Sequence, residues 1–326
     1  MKKLIMALAM AITVALSANT ASADNVKARL VIDIGPMGVH SWILKGIKDG
    51  AFAKRGVDLE FVGKGPGSVK TTLALSAGKA ELGYHDYSGI VLVNSKSQDP
   101  KVTAIFVVDD KAQDGVYSKV GSGIKTVDDL QGKQLGGFIT GTTARILPSV
   151  TSAKWNTVNM TFSARVPALV SDKVDAIEGF LTTNKFNLEK AGYPWDKINV
   201  IKLSDKFPMA VSRVISVNTD WAKANPEAVI AIREVCKQLL AEFVKNPAAS
   251  VTALSGPIVS TAKKRDIELR RAQFGIDELV MTTNVKVNGF NNAQVLGPRL
   301  TQYTDLLVNK LGLPNRHANS KYFDLD

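Results

Sequence analysis

The stretch Val170-Ser-Asp-Lys-Val174-Asp-Ala-Ile-Glu178-Gly-Phe180 predicts a helix end, a tight polar turn and a buried strand that finishes on an acid. Val174, Ala176 and Ile177 supply the apolar strand, and Ser171-Asp172-Lys173 supplies the turn. Two readings of Glu178 stand side by side. A strand-end glutamate is usually solvated. The carboxyl end of a strand is also where open α/β sheets hold small ligands.

On either side of this stretch, strands and helices alternate. Predicted strands at 29–34, 57–62, 80–84 and 102–108 are separated by predicted helices at 39–54 and 68–77. Short connections of this kind predict a parallel sheet with helices on its faces. A second unit repeats the pattern, with strands at 134–138, 160–163, 174–180 and 198–203 and helices starting near Thr142, Pro167 and Thr182. The polar, glycine-rich segment 109–123 reads as a crossing between units, and 211–217 as the return. A long amphipathic helix over 225–245 follows, with Pro226 near its first turn and Pro247 beyond its end. The expected architecture is α/β, with one lobe from 24–108 and 215–326 and a second, inserted lobe from 109–214. A two-stranded hinge joins them and a ligand cleft lies between. The last dozen residues read as loosely held.

Residues 1–23 read as a secretory signal peptide. Lys2 and Lys3 precede an apolar run from Leu4 to Leu16, and Ala21-Ser22-Ala23 is a small-x-small cleavage site. That run is too short to span a bilayer, which takes roughly 20 helical residues. No cysteine stands at the cleavage site, so the expected product is free in the periplasm rather than lipid-anchored. The formal charge of +11 drops to 39 − 30 = +9 when the two lysines leave. The basic residues are scattered. Their densest group, Lys263-Lys264-Arg265 with Arg270-Arg271, reads as a solvated helix face beside Asp266 and Glu268. Together with export, this argues against nucleic acid as a partner. Cys236 is the only cysteine and shares a helical face with Val229, Ile232, Leu239, Leu240 and Phe243, so it reads as core. One cysteine and three histidines leave neither an internal disulfide nor a Cys/His zinc cluster within reach.

No H-E-x-x-H, no G-x-S-x-G and no Walker A motif is present. Gly63-x-Gly65-x-Gly67 lacks the last glycine of a dinucleotide fingerprint, because position 68 is Ser. Candidate ligand-binding residues instead gather at predicted strand ends. Gly67-Ser68 and Gly141-Thr142-Thr143 each open a helix, where free N–H groups accept anionic oxygens, although ordinary capping explains the same residues. Trp42, Tyr84, Tyr87 and Phe180 offer aromatic walls for a flat ligand. His40 and His85 are candidate donors, each with a core alternative. Arg213 in the return crossing fits either an anionic ligand or a structural ion pair.

Four segments carry a family resemblance. They are Gly50-Ala-Phe-Ala-Lys-Arg-Gly56-Val-Asp-Leu-Glu60, Leu73-Ala-Leu-Ser-Ala-Gly78-Lys-Ala-Glu-Leu-Gly83, Pro167 through Phe180, and Val217-Asn-Thr-Asp-Trp-Ala-Lys-Ala-Asn-Pro-Glu227. Their order and spacing resemble periplasmic solute-binding proteins of ABC importers, in the group that takes up thiamine pyrimidine precursors, taurine, alkanesulfonates and nitrate. The resemblance implies a type II periplasmic-binding fold, closure of two lobes on a small anionic, aromatic or heterocyclic solute, and delivery by a monomer to an inner-membrane permease. It implies no cofactor, no metal and no catalysis. Glu178-Gly179-Phe180 looks most like the pyrimidine-precursor branch, where an acid here contacts the heterocycle. The loop Gly35-Pro36-Met37-Gly38-Val39-His40-Ser41-Trp42 departs from that branch's Trp-x-Pro-Asn-x-x-His pattern. Two alternatives share the fold: a receptor feeding a sensor kinase, and a thiamine-pyrimidine synthase, which relies on an iron-binding cysteine cluster that this chain lacks.

Overall fold

The structure is a computed structural model that describes residues 24–139, 142–254 and 261–326. The signal-peptide reading of 1–23 therefore lies outside the described residues. Lobe 1 begins with strand β1 (Val26–Ile32), helix α1 (Ser41–Lys48), β2 (Val57–Lys64), α2 (Ser68–Ser76), β3 (Leu82–Asp86), α3 (Tyr87–Asn94) and β4 (Val102–Val107). Lobe 2 holds β5 (Asp114–Lys119), β6 (Gln134–Gly137), α4 (Thr142–Ile146), β7 (Asn156–Asn159), α5 (Phe162–Val170), β8 (Ala176–Phe180), α6 (Leu181–Lys190) and β9 (Ile198–Lys202). The chain then returns to lobe 1 with β10 (Arg213–Asn218), α7 (Thr219–Ala224), α8 (Pro226–Lys245) and α9 (Pro247–Ala253). It closes with α10 (Ala262–Gly275), a π-helical turn (Ile276–Val280), α11 (Thr283–Asn288) and α12 (Ala293–Lys310).

Each lobe is a five-stranded sheet, ordered β2-β1-β3-β10-β4 and β7-β6-β8-β5-β9. The sheets are mixed, which corrects the parallel sheet expected from the sequence pattern. β10 runs antiparallel to β3 and β4, and β5 antiparallel to β8 and β9. The reason is geometric. The other strands end at the cleft, whereas β5 and β10 arrive from the opposite lobe and start there. Hence segments 109–123 and 211–217 are not simple crossings, because each runs into a buried strand of the receiving sheet. Arg213 ties the two crossings together: its guanidinium grips the Asp109 carboxylate at 2.5 and 2.7 Å.

Three further expectations are corrected. The segment predicted as a strand at 160–163 lies past the end of β7 at Asn159 and runs into α5 at Phe162, and α5 tolerates Pro167 inside it. The C-terminal tail is anchored, not loose. It pairs along β4 through Ala104 N–H to Tyr322 O and Asp324 N–H to Ala104 O, and Tyr322 is fully buried. This covers an otherwise open sheet edge. Lastly, α10 is not merely a solvated face. Glu268 accepts from the Gly38 N–H of lobe 1 at 2.6 Å, and Arg271, itself buried, donates to Thr182 O of lobe 2. Cys236 lies in the lobe 1 core with Ile232 and Leu240, as its helical spacing predicts.

Candidate ligand cleft

A cavity of about 1550 Å³ opens between the two sheets, lined from both lobes. On the lobe 1 side the chain leaves β1 at Asp33 and turns back over the loop Gly65–Ser68. Gly67 adopts φ +107°, a conformation that L side chains rarely adopt. Ser68 Oγ donates to Asp33 Oδ2 at 2.5 Å and accepts from the Asp86 N–H at 3.2 Å. Its hydroxyl is thus committed to the cleft floor. Burial pushes the Asp33 carboxyl up to about 6, with the Ser68 bond opposing. Asp86 ends β3 and caps α3, accepting from Ser88 N–H at 2.9 Å and from Ser212 Oγ at 2.6 Å. Ser88 Oγ lies 2.9 Å from Thr142 Oγ1, a hydrogen bond between the lobes.

On the lobe 2 side, Asp114 starts β5 and accepts from Thr143 Oγ1 at 2.5 Å. Burial, reinforced by the charge of Asp86, pushes the Asp114 carboxyl up to about 8. Glu178 sits near the end of β8 and is 3% exposed. Its Oε1 accepts from the Phe138 N–H at 2.8 Å and faces Arg165 Nη2 at 3.3 Å, and the Ala144 backbone N–H also acts on the carboxylate, while Glu178 Oε2 and both Nε and Nη2 of Arg165 lie without a close hydrogen bond. The Arg165 guanidinium lies over the rings of Phe162 and Phe138, at 4.0 and 4.7 Å from their centroids. Phe162 in turn stacks on Phe180. Burial raises the pKa of Glu178 and lowers that of Arg165, each partly offset by the other's opposite charge.

The structure brings Gly67, Ser68, Thr142, Thr143, Glu178 and Phe180 to the cavity wall. Gly141 lies outside the described residues. The other sequence candidates are packed inside lobe 1. His40 Nδ1 accepts from the Met37 N–H, and its ring meets Tyr84 edge-on. Trp42 Nε1 donates to Tyr84 Oη at 3.3 Å, His85 Nε2 is 2.6 Å from Ser216 Oγ, and Tyr87 Oη is 2.7 Å from Thr304 Oγ1. Arg213 is spent on Asp109. The cleft starts where β3 ends, at Asp86, so Tyr84 and His85 fall beneath its floor.

Sequence reasoning passed over Asp33, Asp114, Phe138, Phe162 and Arg165. Asp33 follows a strand just as Glu178 ends one, so the same rule would have found it. Asp114 was read as crossing loop and Phe162 as strand. No local signal separates Arg165 from a solvated helix arginine.

Two mixed sheets, two crossings and one cleft between strand ends define a two-lobed α/β fold. Solved structures share this fold. The alkanesulfonate-binding protein SsuA from Xanthomonas axonopodis pv. citri, bound to MOPS, is 14% identical over 93% of this chain and 100% of that one, with TM-score 0.67. The Candida albicans CA3427 product, described as having the generic periplasmic binding protein fold, is 12% identical over 93% and 98%, with TM-score 0.61. The nitrate-binding protein NrtA from Synechocystis PCC 6803 is 11% identical over 76% and 69%, with TM-score 0.55. No curated protein matches by sequence. The fold is the type II periplasmic-binding-protein fold. The family model described as NMT1/THI5 like matches residues 38–250, and the chain belongs to that family.

Proposed function

We propose that this protein is the extracytoplasmic solute-binding component of an ABC uptake transporter, acting as a free periplasmic monomer that delivers its solute to a membrane permease. The observation that carries this reading is the 1550 Å³ cavity whose wall is divided between two lobes. A ligand touching both walls stabilises the closed arrangement over the open one, and the two crossings provide the hinge. Ser88 and Thr142 meet across the cleft only when the lobes are close. Among the described residues no helix is long and apolar enough to cross a membrane. Binding is favoured over turnover. The cleft acids are held by hydroxyls and backbone rather than by a nucleophile–base pair, and Cys236 is buried in the lobe 1 core, away from the cavity.

The test combines a solute panel in thermal-shift format with small-angle X-ray scattering. A solute at about 100 times its Kd should add roughly 2.7 kcal/mol of stability, and the same solute should shrink the radius of gyration. Binding without compaction, or conversion of the bound solute to a product, would count against a transport receptor.

A further inference from the structure

We propose that Glu268 and Arg271 on α10 form a latch that joins the rims of the two lobes and raises the closed fraction of the solute-free protein. The proposal rests on the lobe closure of the solute-receptor reading and needs no particular solute.

The anchoring of α10 comes first. Ala272, Ile276 and Val280 recur every four residues and are buried in the lobe 1 core with Trp42 and Ile232. The opposite side of the same segment meets lobe 2. Phe274 packs edge-on against Phe186 and Trp195, with ring centroids 6.1 Å apart in both pairs, and Leu279 joins the lobe 2 core beside Leu181 and Leu188.

A polar chain then crosses from rim to rim. The Gly38 N–H of lobe 1 donates to Glu268 Oε2 at 2.6 Å, the same oxygen accepts from Arg271 Nε at 3.0 Å, and Arg271 Nη1 donates to Thr182 O of lobe 2. Gly38 follows β1 and Thr182 follows β8, so both stand at strand ends that face the cleft. Each is next to a residue of the cavity wall, Met37 and Thr183. The chain thus bridges the cleft just outside the space a solute would fill. A second observation shows how closely the rims approach α10. A Cβ added at Gly275 would lie 2.7 Å from Val39 Cγ1 of lobe 1 and 3.5 Å from Thr182 Cγ2 of lobe 2.

Distance from the hinge decides which contacts part on opening. Leu279 O accepts from the Asp110 N–H on the first crossing at 2.9 Å, so the π-helical turn sits at the pivot. Arg271 lies two helical turns earlier, about 12 Å along the axis. Displacement in a rotation grows with distance from the pivot, so opening separates Arg271 from Thr182 while Leu279 stays seated. Arg271 is buried, which shields its bond to Thr182 O from water in the closed arrangement. A charge-assisted bond made in one state only shifts a two-state equilibrium by roughly tenfold. Arg270 also reaches lobe 2, at Glu189, but from an exposed position where an ion pair contributes little.

Small-angle X-ray scattering of the protein, dialysed free of solute, reads the open fraction. For a chain of this length the compact radius of gyration is about 20 Å, and moving the lobe centres apart by about 4 Å adds about 1 Å. Arg271→Met should shift the radius toward that larger value with the far-UV spectrum unchanged. Arg271→Lys, whose single ammonium cannot bridge two partners in the guanidinium's geometry, should shift it less. Arg270→Met should leave it at the native value. If Arg271→Met fails to fold, Glu268→Gln, which keeps an oxygen for Gly38 but drops the charge that holds Arg271, should give the same direction of shift. A purely structural Arg271 would lower Tm without moving the radius of the folded protein. Native scattering from the folded Arg271 or Glu268 variants overturns the latch, and so does an equal expansion in Arg270→Met. Neither result touches the receptor reading, which the solute panel decides.

Discussion

Replacing Asp114 with Asn should change how stability depends on pH, in a direction that the burial of this residue dictates. The carboxyl titrates near 3.8 when unfolded and is pushed up to about 8 in the folded protein. The folded state therefore holds this proton more tightly than the unfolded state. Between those two values the native protein is protonated at Asp114 while the unfolded chain is not, so stability falls as pH rises. The slope is about 1.4 kcal/mol per pH unit. From pH 5 to pH 7 the native protein should lose about 3 kcal/mol through this group alone, roughly 5 °C in Tm for a chain of this size. The Asn variant keeps an oxygen to accept from Thr143 but carries no titrating proton, so it should lack that loss. Asp33, pushed up to about 6, adds loss of the same sign at lower pH in both proteins and cancels in the comparison. Scanning calorimetry of both proteins at pH 5, 6, 7 and 8 measures the difference. The variant should gain on the native protein with every step up to pH 8. Parallel curves from pH 5 to pH 7 would show that Asp114 is solvated in the folded protein.

Arg213→Ala leaves Asp109, which is fully buried, without its cation. It should cost about 3–5 kcal/mol in urea denaturation, and a cost under about 1 kcal/mol would contradict the structural role assigned to this pair. At Gly38 an added Cβ would lie 1.9 Å from the backbone oxygen of Glu268. Gly38→Ala should therefore destabilise by about 1–3 kcal/mol, and a neutral result would mean that α10 does not press on this loop. Ser88→Ala, Thr142→Val and the double variant form a cycle across the cleft. Its coupling should be about 0.5–1.5 kcal/mol in the ligand-bound protein, and zero coupling there would mean that the lobes do not meet at this point.

The alternation of strands and helices in each half was legible in the sequence, because apolar periodicity and glycine or proline breaks are local properties. The core placement of Cys236 was legible for the same reason. The sequence by itself also placed a strand-end acid at Glu178 and small hydroxyl residues at Ser68, Thr142 and Thr143, since strand ends and helix starts are read from neighbouring residues. It did not determine which face each side chain would meet. Trp42, Tyr84, His85 and Tyr87 looked like cleft walls, yet packing against α1, β10 and α12 buries them under the floor. Nor could it show that β5 and β10 run against their neighbours, because strand direction depends on which lobe the chain has just left. Above all, the meeting of Asp33 and Asp86 with Asp114 and Glu178 joins residues up to 145 positions apart. Local pattern carries no information across such separations. Only closing one lobe over the other places these acids around one cavity, and that placement sets the charge of the site.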